Sequence, residues 1–324
     1  MGCSTAGEIL GDRFIGEGLV AAAIEFEHAR LELYCMALSE KNGSFSTAQT
    51  LAEKLKKSPD LAAVFVLSEG ISVNGSRLIK GFNSVLQGKT PVTGGLAGDG
   101  SRFESTWVLQ QNELLPNTVC ALGIYSQRLG IAHGSRDGWD ILGPLRRVTR
   151  SEGNILYELD DQPALSLYKR YLGDRAAELP ASALLFPLAI HMGTDDQEPK
   201  VRTILGMDEE KQALIFAGDI PQGSHAHLMR ANFDRLVSGA EDAANTLNLS
   251  SYTQGDLCCI PISCVGRRLV LGPRVEEEIE VVRESMPRKT CQIGFYSYGE
   301  LSPLTSGLCD LHNQTMTLTL WWET

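Results

Sequence analysis

A motif that occurs twice constrains this chain most. Residues 291–303 read Cys-Gln-Ile-Gly-Phe-Tyr-Ser-Tyr-Gly-Glu-Leu-Ser-Pro, and residues 2–9 read Gly-Cys-Ser-Thr-Ala-Gly-Glu-Ile. Both keep one frame: a glycine, four residues, then Gly-Glu and an aliphatic. Each copy is expected to lead out of a buried strand, through a glycine-relieved turn, to a carboxylate at the rim. A chance recurrence of a tight turn is the bland alternative. Copies at the two ends of the chain instead imply two related halves facing one site, with Glu8 and Glu300 as its carboxylates. Such a pair suits the amino group of a small zwitterion, and Ser4, Thr5, Ser297 and Tyr298 add neutral hydrogen bonds.

The rest of the chain reads as α/β: two related mixed-sheet domains with helices packed on the sheets. The stretch 61–67 is a continuous apolar run, expected as a strand covered on both faces. An amphipathic helix through Leu78, Ile79, Phe82, Val85 and Leu86 follows it. The glycine-rich turn 94–100 comes next, and it offers successive backbone N–H groups to a carboxylate, with Gly94, Gly95 and Asp99 as contacts. A turn between sheet segments is the alternative, and Asp99 would then be a turn residue. Between 106 and 133, short apolar runs predict an antiparallel meander, and 18–38 predicts two strands. Later come a helix opened by Pro163, a long helix over 228–247, a strand–helix–strand unit over 258–295 and a closing strand.

Composition narrows the function. A chain of 324 residues suffices for two domains, and 43% hydrophobic with 21% charged residues describes an ordinary globular protein. A net charge of −11 argues against a nonspecific nucleic-acid surface or an anionic membrane as partner. No apolar run would span a bilayer, no signal peptide is legible, and Ala6 stands where myristoylation requires Ser or Thr. A cytoplasmic location is therefore expected, with the eight cysteines, among them Cys35 and Cys120, as free thiols. No Cys-x-x-Cys exists, and the histidines show no metal-ligand grouping, since His225 and His227 are expected in a loop. Arg267 and Arg268 read as a solvated strand end. Cys3 lacks a nucleophile-elbow frame and an implied His partner, so no enzyme activity is expected.

Several segments also resemble one family. These are residues 2–9, the Gly-Gly-Leu-Ala-Gly-Asp-Gly run 94–100, the segment 148–172, Ser-Cys-Val-Gly-Arg-Arg at 263–268, residues 294–303, and Leu-His-Asn-Gln-Thr at 311–315. Together they resemble a FIST protein, the sensory module of bacterial signalling proteins and some eukaryotic F-box proteins. The resemblance implies a FIST N-type domain over 1–147, short of its first strand and helix, and a FIST C-type domain over 148–324. It also implies a small-molecule ligand, an amino acid or related metabolite, bound near Cys3, Ser4, Thr5, Glu8, Gly94, Gly95, Asp99, Ser297, Tyr298 and Glu300. The implied partner is a signalling protein such as a histidine kinase or a cyclic-dinucleotide enzyme. No cofactor is required on that reading. Some family members bind haem and sense nitric oxide, and on that alternative His133 is the axial ligand. A cysteine or serine hydrolase is the second alternative.

Overall fold

Alternation along the strands sets the layers. In Leu61–Ser68, Phe65 and Leu67 point one way, while Val64 and Val66 point the other. The computed structural model describes residues 1–38, 43–179, 181–193, 199–252 and 254–324. In it the first set meets Cys258, Ile260, Ile262, Phe295 and Trp321 of a second sheet, and Phe65 meets Trp321 edge-on at 5.2 Å. The second set lies under the helices Ser44–Leu55 and Gly75–Leu86, through Leu51, Leu55, Leu78 and Phe82. Leu257, Cys259, Leu318 and Leu320 likewise pack under Ala240, Ala243 and Val282. Two sheets therefore face each other, each with helices on its outer side. Such double burial is why these strands are apolar on both faces.

The two sheets share one plan. In the first, Leu61–Ser68 runs parallel to Val92–Leu96. Thr118–Tyr125 and then Arg30–Ala37 add antiparallel on one side, and the hairpin Gly299–Pro303/Cys309–His312 on the other. In the second, Leu257–Cys264 runs parallel to Thr290–Ser297. Met316–Glu323 and Leu129–Arg136 lie on one side, and the hairpin Glu8–Leu10/Arg13–Ile15 on the other. Order and direction agree throughout. Related units thus run from about residue 30 to 125 and from 129 to 323, and each sheet is completed by a hairpin from outside its own unit.

A separate sheet is inserted into the second unit. It contains Arg146–Glu152, Ile155–Leu159, Leu188–His191, Lys200–Arg202, Ile204–Asp208, Ala213–Phe216 and His225–Arg230. Its own core includes Leu156, Leu165, Phe216 and Leu228. The expected division at 147/148 falls inside this insert, and the two main sheets draw strands from both sides of it.

Several expectations are corrected. Residues 20–26 form no regular element, because their alanines bury little apolar area, and Ala21, Ala22 and Ala23 are exposed. The runs between 106 and 133 are not a meander. Val108–Gln110 and Glu113–Leu115 join Gly2–Cys3, while Thr118–Tyr125 and Leu129–Arg136 enter different sheets. The long helix begins only at Phe233, where the Asn232 side chain accepts from Arg235 N, because the preceding His-Ala-His-Leu-Met-Arg alternates as a strand. Cys35 and Cys120 face each other across antiparallel strands, Cα atoms 4.1 Å apart, and are joined as a disulfide rather than free.

Candidate functional site

Two hairpins carry the Gly-Glu-aliphatic end of the motif, and a third pairs in the same way without it. Glu8–Leu10, Val108–Gln110 and Gly299–Pro303 each pair antiparallel with the end of a strand. In every case an aliphatic faces a glycine: Ile9 opposite Gly294, Leu109 opposite Gly2, Leu301 opposite Gly94. A Cβ on Gly294 would lie 1.8 Å from the Pro261 carbonyl, and one on Gly94 1.9 Å from the Val66 carbonyl. Only glycine fits at either position. Glu8 and Glu300 occupy equivalent places, where the third hairpin has Val108. Thr5 Oγ1 donates to Glu8 at 2.8 Å and Ser297 Oγ to Glu300 at 2.6 Å, each across three residues.

The three segments meet and are largely satisfied by one another. Ala6 N donates to Tyr296 O and Tyr296 N to Gly7 O, both at 2.8 Å. Gly98 N donates to Ser4 O, and Trp107 N donates to Ser4 Oγ. Gly94 and Gly95 are strand residues, not loop donors, because hydrogen bonds to both neighbours hold them extended. The Cys3 thiol is pushed up by burial to about 12, which removes thiolate character near neutral pH.

Asp99 organises its own loop. Its carboxylate accepts from Phe103 N (2.9 Å), Glu104 N (2.9 Å), Ser105 N (3.0 Å) and the Tyr298 hydroxyl, while Tyr298 stacks on Phe103. Burial acts to raise this carboxyl, but the Tyr298 and backbone bonds outweigh it and hold it low. Asp99→Ala is expected to cost about 1.5–3 kcal/mol of stability in denaturant titrations, with ligand affinity unchanged. An unaltered midpoint would remove Asp99 from this structural role.

Glu300 differs from Glu8 in burial. It is wholly enclosed and also accepts from Thr315 N at 3.4 Å. Burial pushes its carboxyl up to about 8, against the opposing Ser297 and Thr315 bonds. Glu8 is half-buried, and its Oε2 has no partner.

A sizeable cavity lies elsewhere. It encloses about 530 Å³ between Leu129–Arg136, Lys200–Arg202 and the Gly299–Pro303/Cys309–His312 hairpin, all edge strands or hairpin ends of three sheets. His133, Ser135, Arg136, Asp137, Lys200, Thr246, Thr305, His312 and Thr315 give it polar walls, and Pro199, Val201, Pro303 and Leu304 apolar ones. None of Cys3, Ser4, Thr5, Glu8, Gly94, Gly95, Asp99, Ser297, Tyr298 and Glu300 lines it, whereas His133 does. Burial holds both His133 and His312 below the ordinary imidazole range. Ser302 Oγ, Asn313 Oδ1 and both amide atoms of Gln314 are buried without partners, but these residues do not line the cavity. Sequence reasoning missed the cavity, although the Leu-His-Asn-Gln-Thr segment supplies His312 and Thr315 to its wall.

Haem does not fit the cavity. A macrocycle needs broad apolar plates on both faces, yet Ser135, Arg136, Asp137, Lys200, Thr246 and Thr305 share the lining with His133, and no Phe, Tyr or Trp among the described residues lines it.

A sandwich of two related mixed sheets, each completed by a hairpin from outside its own unit, is the class that this geometry defines. The FIST N domain model matches residues 1–162 and the FIST C domain model residues 164–303. The chain belongs to the FIST family, whose domains are associated with sensing in signal transduction. An uncharacterised protein of Methanocaldococcus jannaschii is 24% identical over 348 residues, covering 97% of this chain and 65% of the relative. The chain thus spans slightly under two thirds of that relative's length. Among solved structures, PurLQS from Thermotoga maritima aligns with a TM-score of 0.24 and 8% identity over 99% of this chain and 74% of its own. Cyanuric acid hydrolase from A. caulinodans gives 0.21 and 8% over 91% and 99%. At such scores neither likeness informs fold or activity. No helix among the described residues is long and apolar enough to cross a membrane.

Proposed function

We propose that this protein is a sensory module whose ligand, a small zwitterionic metabolite of the amino-acid type, binds in the cavity beside His133 and His312. The carrying observation is the cavity wall, where His133, Arg136, Asp137, Lys200 and His312 bring polar groups and charges of both signs round a space of about 530 Å³. Arg136 and Lys200 suit a carboxylate and Asp137 an ammonium. Glu300 acts from the layer beneath, through the Thr315 N–H that it accepts.

The signal would leave through the inserted sheet. Lys200 pairs with Asp310, and the buried Arg202 donates to Leu311 O at 3.0 Å, so the Lys200–Arg202 wall is tied to the hairpin strand on the other side. A ligand between them biases that contact, and a signalling protein reads the bias.

Native mass spectrometry followed by a thermal-shift screen of amino acids and related acids tests this reading. A ligand at a hundred times its Kd should stabilise the protein by about 2.7 kcal/mol. Ser135→Trp, which fills the cavity from a partly exposed wall, should abolish that shift while leaving the ligand-free Tm nearly unchanged. Equal stabilisation of wild type and variant would move the site away from this cavity.

A further inference from the structure

We propose that His191, His225 and His227 form a binding site for a divalent transition metal of the zinc type, separate from the ligand cavity. The expected loop at His225 and His227 is a strand, His225–Arg230, antiparallel to Leu188–His191. The register sets His191 opposite His225 and Ala189 opposite His227. Opposed residues and residues two apart share one face of a sheet, so all three imidazoles leave the same side. The even-numbered neighbours Leu188, Ile190, Ala226 and Leu228 fill the core on the other side.

Two nitrogens already stand at a metal's bite. His227 Nδ1 and His191 Nε2 are 3.2 Å apart, with the rings edge-on at 82°. Two nitrogens about 2.0–2.1 Å from one tetrahedral zinc would lie about 3.3–3.4 Å from each other. His225 supplies the third donor, since its Nδ1 is buried without a partner. Among the described residues no three such side chains converge on one point in the ligand-free structure, so binding requires these histidines to rearrange round the metal. Arg147, exposed opposite His225, is the cation on this face, and it favours an anion or hydroxide as fourth ligand. Because Leu188–His191 also pairs with Lys200–Arg202, metal binding would stiffen the strand that walls the cavity.

Titration of the full chain with Co²⁺, read in the visible spectrum and by competition with a chromogenic chelator, is the test. The expected result is one equivalent with the intense bands of tetrahedral cobalt. His191→Ala and His227→Ala should each weaken binding at least about tenfold, and His133→Ala should leave it unchanged. Absence of saturable binding, or binding that survives both substitutions, overturns the proposal. Imidazole ¹⁵N spectra of the wild type with Zn²⁺ guard against variants that fail to fold. Three of the six histidines should shift, and a set other than His191, His225 and His227 would equally overturn it.

Discussion

Arg267→Ala should destabilise the protein by about 3–5 kcal/mol in a denaturant titration, because it strands a buried carboxylate. Arg267 and Glu278 have no exposed side-chain surface. The guanidinium donates to Glu278 Oε2 through Nε at 2.9 Å and Nη2 at 2.7 Å, to Leu236 O at 2.7 Å and to Asp137 O. Ser263 Oγ at 3.1 Å and Tyr296 OH at 2.8 Å satisfy the other Glu278 oxygen. The network joins the helices Phe233–Asn245, Val265–Leu271 and Val275–Glu284 to the central parallel strands and to the turn after Leu129–Arg136. Removing the charge from both ends with Arg267→Met and Glu278→Leu should recover only part of the loss, since it removes the stranded charge but leaves Ser263 Oγ, Tyr296 OH, Leu236 O and Asp137 O without these partners. A loss below about 1 kcal/mol for the single variant would show that water reaches the pair.

Raising the pH from 5 to 8 should weaken the fold through Glu300, and Glu300→Gln should remove that dependence. Its folded-state carboxyl sits at about 8 because burial disfavours the ion. An unfolded Glu titrates near 4.3, so between these values the folded state holds a proton that the unfolded state has released. Stability is therefore highest below about 4.3 and falls by up to about 1.4 kcal/mol per pH unit until the folded group ionises. Denaturation midpoints of wild type and Glu300→Gln, measured at several pH values, should diverge steadily over this window. Parallel profiles would mean that Glu300 is ionised throughout and has a cation nearby. The test concerns the apo protein and stands whether or not a metabolite is found.

The motif was legible as a motif but not as a site. Gly-x₄-Gly-Glu at both ends marked equivalent turns, and glycine is required beneath the Pro261 carbonyl at Gly294, whereas a Cβ on Gly2 would meet nothing nearer than Leu109 at 3.6 Å. Its hydroxyls and carboxylates looked like ligand contacts, yet the chain uses Thr5, Ser297 and Tyr298 to satisfy its own carboxylates. Hydrogen-bond partners more than a hundred residues away, such as Tyr298 for Asp99, leave no local trace in a sequence.

Composition and periodicity by themselves determined the α/β class, the apolar strands Leu61–Ser68 and Leu257–Cys264, and the helices that cover them, because burial on both faces and amphipathic spacing are local properties. Only the tertiary structure decided which edges meet. It completed each sheet with a hairpin from outside its own unit, enclosed Arg267 that reads as solvated, and gathered three sheet edges round a cavity beside His133. It also turned His225 and His227 toward His191. Strand register is fixed by nonlocal hydrogen bonds and by which face finds a partner, so a one-residue difference, unreadable from either strand alone, decides which side chains share a site.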